Sequence, residues 1–250
     1  MRAIIQKAYG SPEVLELREI DRPGIGDHDV SVRVHAAGVH RGHWLVMRGL
    51  PYIARLGYGL LTPKNSVAGM EVAGKVEGIG KDVTRFQPGD EVFGWCNGAF
   101  AEYVSVSEDA LAVKPANITL EQAAGFPISA FAALQALRDT GRIQPAHRVL
   151  IIGASGGVGT FAVQIAKSYG AEVTGVCSAK NVEMVESIGA DHVIDYARED
   201  FADGKRRCDM ILDTAGNRSL SHLRRALTPK GRLYLLEDRA VRGSWEQSAR

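Results

Sequence analysis

A glycine-rich turn carries the clearest chemical signal in the chain. Val149 to Ile152 is a continuous apolar run of the kind that forms a buried strand, and Val158 opens a segment with helical spacing. Between them stands a G-x-G-x-x-G pattern with alanine at its first position. Such a turn sets free backbone N–H groups and the positive end of a helix against a pyrophosphate. The predicted dinucleotide-binding residues of this turn are Gly153, Ala154, Ser155, Gly156, Gly157, Val158 and Gly159.

Two glycines of the turn have separate predicted roles. Gly156 lets the backbone approach the pyrophosphate, and Gly159 lets the helix pack closely against the strand. The alternative is a tight strand-to-helix turn that holds no ligand. That alternative is disfavoured because each glycine costs roughly 0.5–1 kcal/mol of stability when no conformational need is met.

The residues after the next strand indicate which dinucleotide is bound. NAD-binding domains carry Asp or Glu there, ~20 residues beyond the glycines, to accept from the ribose hydroxyls. This chain has Cys177-Ser178-Ala179-Lys180 instead. The hydroxyl of Ser178 and the ammonium of Lys180 would hold a 2′-phosphate that a carboxylate would repel. The sequence therefore favours NADPH over NADH, although Lys180 could also be an ordinary exposed lysine at a helix start.

The elements that must position these residues fall into two halves. Up to about residue 118, short strands alternate with Gly and Pro turns, and Asp29 to His35 alternates apolar and polar residues as a half-buried strand does. From Thr119 onward, strands alternate with helices, and Thr119 with Gln122 fits a capping box at the first of them. We expect an α/β fold in which a small β-barrel domain precedes a doubly wound parallel sheet.

Composition excludes several classes of function. The chain has 250 residues, 45% of them hydrophobic, and a formal net charge of +1, which gives no reason to expect nucleic acid or a membrane surface as a partner. No apolar run approaches the ~18 residues of a membrane span. The three cysteines form no CxxC pair, so neither a disulfide framework nor a zinc knuckle is predicted. The expected location is the cytoplasm.

With both halves in view, the chain resembles the medium-chain dehydrogenase/reductases, and within them the quinone oxidoreductase (zeta-crystallin-like) branch. The resemblance implies a GroES-like catalytic domain over residues 1–125, a Rossmann domain over residues 126–250, and an active site in the cleft between them. It covers the chain from Met1 to about Leu236 and is carried by Ala36-Ala37-Gly38-Val39, Gly69-Met70-Glu71-Val72-Ala73-Gly74, Pro88-Gly89-Asp90-Glu91-Val92-Phe93-Gly94, Gly98-Ala99-Phe100-Ala101-Glu102-Tyr103 and the block from Gly153 to Lys167.

The same resemblance extends the cofactor site. It implies that Tyr196 lies near the 2′-phosphate and that the loop containing Ala215 borders the nicotinamide. Zinc-dependent relatives bind zinc at the positions that are His40 and Met70 here, and methionine suits zinc poorly. His40 and His43, three residues apart, could chelate a metal from one helical face, but two ligands fall short of a zinc site. We therefore expect no metal.

Without zinc to polarise a carbonyl, the expected substrates are quinones and α,β-unsaturated carbonyls, which accept hydride readily. The candidate catalytic donors to the substrate oxygen are His40, His43 and Tyr52, where the family more often has Asn at the first position and Asp at the second. For each of the three, a surface or packing role is an equally open alternative. The resemblance gives Glu71 a structural role near the site.

The end of the chain departs from the family, whose members continue past the fifth Rossmann strand into a sixth. Here Leu236 is followed by a polar tail, so we expect a truncated Rossmann sheet that lacks its last strand. Homodimers of the family pair through that strand, and this pairing is not expected here. Glu237 would obstruct the nicotinamide. The alternatives to an active reductase are a truncated, non-catalytic dinucleotide-binding fragment and a zinc-type alcohol dehydrogenase with replaced ligands.

Overall fold

The structure is a computed structural model that describes residues 1–204 and 206–236, so Glu237 and the rest of the polar tail lie outside the described residues. The first of two units runs from Met1 to Ile128 and consists mainly of β-strands. Its strands and helices are β1 (Arg2–Gln6), β2 (Leu15–Glu19), β3 (Asp29–Ala37), α1 (Arg41–Arg48), α2 (Arg55–Tyr58), β4 (Glu71–Ile79), β5 (Glu91–Trp95), β6 (Tyr103–Ser107), β7 (Leu111–Val113) and α3 (Leu120–Ala124), with 3-10 turns at Pro12–Val14, Tyr52–Ala54 and Glu108–Ala110.

The strands of the first unit pair antiparallel. Five of them form a sheet in the order β6-β3-β4-β5-β7, and β1 and β2 form a separate hairpin. The alternation predicted for β3 is confirmed, because Val30 and Val32 are fully buried while Arg33 and His35 are exposed. The buried valines pack with Phe86 and other apolar residues into the core of this unit.

Strand pairing brings the start of α1 next to the start of β4. Ala37 pairs with Val72, and the Gly38 N–H donates to the carbonyl of Glu71 at 3.2 Å. A Cβ at Gly38 would lie 2.4 Å from Glu71 Oε2, so only glycine fits this close approach. His40, two residues later, therefore begins its helix beside a buried carboxyl group.

The second unit begins at Ser129 and contains a parallel sheet. Its five strands are ordered β10-β9-β8-β11-β12 among the described residues, so the chain order reverses at β8. Ligands bind such sheets at the carboxyl ends of the strands, where the order reverses. The elements are α4 (Pro127–Leu134), which starts at the unit boundary, β8 (Arg148–Ile152), α5 (Gly157–Ser168), β9 (Glu172–Cys177), α6 (Val182–Ser187), β10 (His192–Asp195), β11 (Cys208–Asp213), α7 (Leu220–Arg225) and β12 (Leu227–Leu235), with a 3-10 turn at Ala179–Asn181.

The apolar segment over residues 128–138 predicts one continuous α-helix, but the observed helix is shorter. The structure ends α4 at Leu134 and continues with a wider π-helical turn over Gln135–Thr140. Two side chains of β12 donate hydrogen bonds to the backbone carbonyls at the end of this π-helical turn. The Tyr234 hydroxyl donates to Thr140 O at 2.9 Å, and Arg232 donates to Gly141 O at 2.8 Å. These long-range hydrogen bonds stabilise a turn that local sequence does not specify.

Local signals elsewhere in the second half were accurate. The capping box at Thr119 is confirmed, with Gln122 N–H donating to Thr119 Oγ1 at 3.2 Å and Thr119 N–H donating to Gln122 Oε1 at 2.9 Å.

All three cysteines are buried and free. Across residues 1–204 and 206–236, no helix is long and apolar enough to span a membrane.

Candidate functional site

The turn between β8 and α5 has the backbone geometry that its glycines predict. Gly153 adopts φ +81°, a left-handed conformation that favours glycine. The N–H groups of Gly153 and Ala154 both donate to Val176 O at 3.0 Å, which ties the turn to β9. Gly156 then precedes the helix without offering a side-chain cap. The first amides of α5 consequently have no acceptor inside the helix and can serve an anion.

The close approach expected at Gly159 is present. A Cβ there would lie 2.1 Å from the carbonyl oxygen of Gly153 and 2.8 Å from the Cα of Ala154. Both contacts are with backbone, which cannot move aside without unfolding the turn. At Gly157 a Cβ would come within 3.1 Å of Ser129 Oγ. At Gly157 and Gly159 the start of α5 therefore carries no side chain, while Val158 between them packs against the core.

A cavity of about 160 Å³ lies at the carboxyl ends of β8, β9 and β11. It brings together five of the predicted cofactor residues, which come from four separate segments of the chain. None of its lining residues, all of them in the described part of the chain, carries a carboxylate. The lining consists of Ile152, Gly153, Ser155, Val176, Cys177, Ser178, Tyr196, Ala215, Asn217 and Arg218.

Hydrogen bonds from Asn181 orient two hydroxyl groups of this cavity. The Asn181 Nδ2 group donates to Ser155 Oγ at 3.1 Å and to Ser178 Oγ at 3.2 Å. A hydroxyl that accepts from an amide keeps its own hydrogen available to donate. Ser155 and Ser178 can therefore both donate to a phosphate oxygen. Sequence reasoning missed Asn181, whose position just before α6 was the available signal.

Arg218 is the second residue that sequence reasoning missed. Its half-buried side chain lines the cavity together with Ser178 and Tyr196, and it has no ion-pair partner among the described residues. An unpaired guanidinium in a partly enclosed cavity is suited to a phosphate group. The only signal in the sequence was its place in the loop after β11, which the resemblance had assigned to the cofactor.

Asp213 fixes the loop that carries Ala215 and Arg218. The Asp213 carboxylate is fully buried, and its Oδ1 accepts from the N–H groups of Ala215 at 3.0 Å and Gly216 at 2.8 Å. The Thr214 hydroxyl donates to Ile152 O at 2.9 Å, which joins the same loop to β8. The loop is thus held at the edge of the cavity by its own side chains.

Six of the predicted cofactor residues do not line this cavity. Ala154 is fully buried in the hydrophobic core, where its Cβ faces Gly175 of β9, so its side chain packs and does not face a ligand. Lys180 is exposed in the 3-10 turn before α6 and is absent from the cavity lining. Gly156, Gly157, Val158 and Gly159 form the start of α5 itself and likewise do not line the cavity.

In the first unit, His40 and His43 cap the start of α1. The Gly42 N–H donates to His40 Nδ1 at 2.9 Å, and the His40 N–H donates to His43 Nδ1 at 3.2 Å. The two rings lie 4.2 Å apart between centroids. Burial lowers the pKa of His40, and burial together with the neighbouring His40 lowers the pKa of His43 to about 4. Both imidazoles are therefore neutral at pH 7.

Glu71 is the third titratable group of this cluster. Its carboxyl is buried, its Oε1 accepts from the Ile128 N–H at 2.7 Å, and its Oε2 lies 3.7 Å from His40 Nε2. Burial raises the pKa of Glu71, and the hydrogen bond from Ile128 partly opposes that shift. One ligand-type atom from each of His40, His43 and Glu71 falls within 4.8 Å of the others. The structure thus adds a third potential ligand to the two that the sequence suggested.

The hydrogen bonds of this cluster do not fit a zinc ion. A metal binds the lone pair of a neutral imidazole nitrogen, and the other ring nitrogen then carries the proton. In both histidines the Nδ1 lone pair already accepts a backbone N–H, so Nε2 carries the proton. Zinc on Nε2 would move the proton to Nδ1, where it would face the N–H of Gly42 or His40. The expected absence of metal stays a prediction that this geometry supports.

His40 and His43 line a largely apolar cavity of about 260 Å³, whereas the third predicted donor does not. Tyr52 is 72% exposed, sits in the 3-10 turn before α2 with Arg55 Cζ 4.9 Å from its ring, and is not part of the lining. A different tyrosine, Tyr58, contributes to the cavity. The apolar part of the lining includes Trp44, Met47, Met70 and Phe100.

Comparison with known proteins accounts for both units. Residues 26–116 match the family described as the alcohol dehydrogenase GroES-like domain, and residues 157–236 match the family described as zinc-binding dehydrogenase. The NAD(P)H oxidoreductase RTN4IP1, mitochondrial, of Mus musculus is 36% identical over 86% of this chain and 60% of its own length. The chain thus spans about three fifths of the length of that relative.

Three further proteins are matched over more of their length. The quinone oxidoreductase of Homo sapiens is 31% identical over 96% of this chain and 74% of its own. Among solved structures, the CurK enoyl reductase has a TM-score of 0.86 at 28% identity, covering 94% of this chain and 73% of that one. The quinone oxidoreductase of Coxiella burnetii has a TM-score of 0.80 at 27% identity, covering 95% and 82%.

These matches agree with the resemblance that the sequence indicated. So do the GroES-like unit and the parallel sheet with its glycine turn. The chain belongs to the medium-chain dehydrogenase/reductase superfamily and is a quinone oxidoreductase-like member of it.

Proposed function

We propose that this chain is an NADPH-dependent, zinc-independent oxidoreductase that reduces a quinone or an α,β-unsaturated carbonyl compound. The observation that carries the proposal is the cavity at the end of the parallel sheet. It combines two serine hydroxyls, a tyrosine and an unpaired arginine, and it has no carboxylate in its described lining. A carboxylate there would favour NADH, and its replacement by hydroxyls and a cation favours a 2′-phosphate.

The residues of the second unit have distinct parts in holding the dinucleotide. The amides at the start of α5 would receive the pyrophosphate, and Gly159 lets α5 pack closely against the glycine turn that precedes it. Ser178, Tyr196 and Arg218 would hold the 2′-phosphate. The loop braced by Asp213 would border the nicotinamide. When bound, the reduced nicotinamide supplies the hydride for the reaction.

The names of the relatives support the reaction class. The human and Coxiella burnetii proteins are named quinone oxidoreductases, and 2-methylene-furan-3-one reductase of Solanum lycopersicum is 32% identical over 86% of this chain. The mouse relative is named as mitochondrial. The cytoplasmic location and the absence of dimer pairing through a sixth strand, both expected from the sequence, stay predictions.

Two measurements on the full chain test the proposal. Titration followed by nicotinamide fluorescence should show binding of NADPH more tightly than NADH. Oxidation of NADPH should be accelerated by 1,4-naphthoquinone or cyclohex-2-enone, and addition of EDTA should leave the rate unchanged. The Gly159→Val variant is the matched control, because its side chain fills the space beside Gly153 O. Binding without turnover on any quinone or enone would favour a non-catalytic dinucleotide-binding chain, and loss of activity with EDTA would contradict zinc independence.

A further inference from the structure

Ser155 differs from the glycines that follow it in where it lies. It lines the cavity at the end of the parallel sheet together with Ser178, Tyr196 and Arg218, whereas Gly156–Gly159 do not. The amides that would receive the pyrophosphate belong to the start of α5, which comes after Ser155 in the chain. Ser155 therefore shares its surroundings with the residues proposed for the 2′-phosphate.

Asn181 brings the hydroxyl of Ser155 next to that of Ser178. The two serines come from different segments, since one follows β8 and the other follows β9. Their oxygens nevertheless accept from the same Asn181 Nδ2 group, at 3.1 Å and 3.2 Å. An asparagine NH2 group carries two hydrogens, so it can serve both acceptors at once. Two hydroxyls that share this nitrogen as a neighbour are close enough together to contact one phosphate group.

The side chains of Ser178 and Asn181 make this link in place of helix capping. Ser178 is the N-cap of the 3-10 turn Ala179–Asn181, and Asn181 is the N-cap of α6. Serine and asparagine are preferred at such positions because their side chains accept backbone N–H groups. Neither side chain makes a capping bond here. Local capping is thus replaced by a link to the glycine turn, which indicates that the link serves the cavity.

A phosphate monoester matches the groups that line the cavity around this link. It carries a charge of about −1.5 to −2 at pH 7 and three strong acceptor oxygens. The cavity offers the hydroxyls of Ser155 and Ser178 and the guanidinium of Arg218 as donors, and its described lining contains no carboxylate. In NADPH the 2′-phosphate is the monoester, whereas the pyrophosphate is esterified at both ends.

We propose that Ser155 determines cofactor specificity by donating to the 2′-phosphate jointly with Ser178, and that Asn181 is the positioning residue that holds the two hydroxyls together. The proposal rests on the proposed function and deepens it, because it adds a side chain of the glycine turn to the 2′-phosphate site. Each hydroxyl accepts from Asn181 and keeps its own hydrogen for the phosphate. The turn would therefore serve both phosphate sites, the 2′-phosphate through Ser155 and the pyrophosphate through the amides that follow.

Ser155→Ala tests the proposal on the full chain, by isothermal titration calorimetry with NADP⁺ and NAD⁺. Loss of a hydrogen bond to a charged group should lower the ratio of NADP⁺ affinity to NAD⁺ affinity roughly 10- to 140-fold, as Ser178→Ala should. If Ser155 served the pyrophosphate alone, both dinucleotides would bind more weakly and the ratio would stay the same, which would overturn the proposal. Ser168→Ala is the matched control: it removes an exposed hydroxyl that donates to Ile165 O at 2.7 Å, and it should leave the ratio unchanged.

Two variants of Asn181 test its positioning role. Asn181→Ala should lower the affinity ratio about 2- to 12-fold, the range for one neutral hydrogen bond. It should lower the ratio no further in a chain that already carries Ser155→Ala and Ser178→Ala, because Asn181 acts through those hydroxyls. Asn181→Asp keeps the shape but only accepts, so it should turn both hydroxyl hydrogens away from the phosphate and lower the ratio more than Asn181→Ala does. An unchanged ratio in both variants would contradict the positioning role.

Phosphorus NMR of bound NADP⁺ separates this inference from the proposed function, because the 2′-phosphate and the pyrophosphate give separate resonances. Ser155→Ala should shift the resonance of the 2′-phosphate and leave those of the pyrophosphate in place. A shift confined to the pyrophosphate would overturn the inference, while the proposed binding of NADPH would survive. If the wild-type chain binds NAD⁺ as tightly as NADP⁺, or binds neither, the proposed function fails and this inference fails with it.

Discussion

Replacing Arg218 by glutamine tests how the cofactor cavity distinguishes NADPH from NADH. Arg218 is the only Lys or Arg among the described residues that line this cavity, and no described carboxylate neutralises it. Glutamine keeps a hydrogen-bonding amide but removes the positive charge. The 2′-phosphate of NADPH should therefore lose a charged partner, whereas the 2′-hydroxyl of NADH loses at most a neutral one.

The expected magnitude follows from the environment of the guanidinium. Hydrogen bonds to charged groups contribute about 1.5–3 kcal/mol, and Arg218 is half-buried with no ion-pair partner in residues 1–204 and 206–236, so its charge is available to a ligand. At about 1.4 kcal/mol per tenfold, NADPH should bind roughly 10- to 140-fold more weakly to the variant. NADH affinity should change by less than about 12-fold, the upper value for one neutral hydrogen bond, and by less than NADPH affinity does.

Isothermal titration calorimetry with both dinucleotides at one fixed ionic strength measures these changes, since added salt screens charge interactions. Lys180→Gln is the matched control: it also removes one cation near the end of β9, but Lys180 is exposed and outside the cavity lining. The reasoning is refuted if Arg218→Gln leaves the ratio of the two affinities unchanged. It is also refuted if Lys180→Gln lowers that ratio more than Arg218→Gln does.

Three further predictions concern stability and binding. Gly159→Ala should abolish detectable NADPH binding and lower the free energy of unfolding by about 1–3 kcal/mol, because its Cβ meets Gly153 O; urea denaturation and calorimetry check both effects. Thr119→Ala should cost about 1 kcal/mol of stability by removing a helix cap, with NADPH affinity unchanged. The contribution of His43 to the free energy of unfolding should rise between pH 4 and pH 6.5 by roughly 1–2 kcal/mol, because its pKa is about 4 folded and ~6.5 unfolded, so the unfolded chain binds more protons there; the full shift would give ~2.6 kcal/mol, and solvent screening of the partly exposed ring reduces that figure. His43→Gln should flatten that rise, and a rise equal to wild type would contradict it.

Features fixed by neighbouring residues were predictable from sequence. Three such features are the start of α5, which lies one residue before the expected Val158, the capping box at Thr119 and the buried strand before the glycine turn. The close packing at Gly159 followed from the same local pattern. Each of these was placed correctly because backbone conformation and helix capping are local properties.

Contacts between residues far apart in the sequence were not predictable from local pattern, although the family resemblance had placed Glu71 and the loop after β11 near the site. The Glu71 carboxyl meets the histidine pair only because β4 pairs with β3, and this pairing joins residues more than thirty positions apart. Arg218 reaches Ser178 because β11 and β9 both flank β8 in the sheet. Tyr52 lies outside the cavity lining because it belongs to a 3-10 turn that exposes its side chain to solvent. The residues around Tyr52 did not predict this turn.

The structure of the full chain crystallised with NADP⁺ tests the central claim most directly. We predict that the pyrophosphate lies within hydrogen-bond distance, ~2.7–3.2 Å, of the amides at the start of α5, and that the 2′-phosphate contacts Ser178 and Arg218. The claim would be contradicted if NADP⁺ at saturating concentration were bound elsewhere on the chain. It would also be contradicted if the 2′-phosphate pointed to solvent, away from both Ser178 and Arg218.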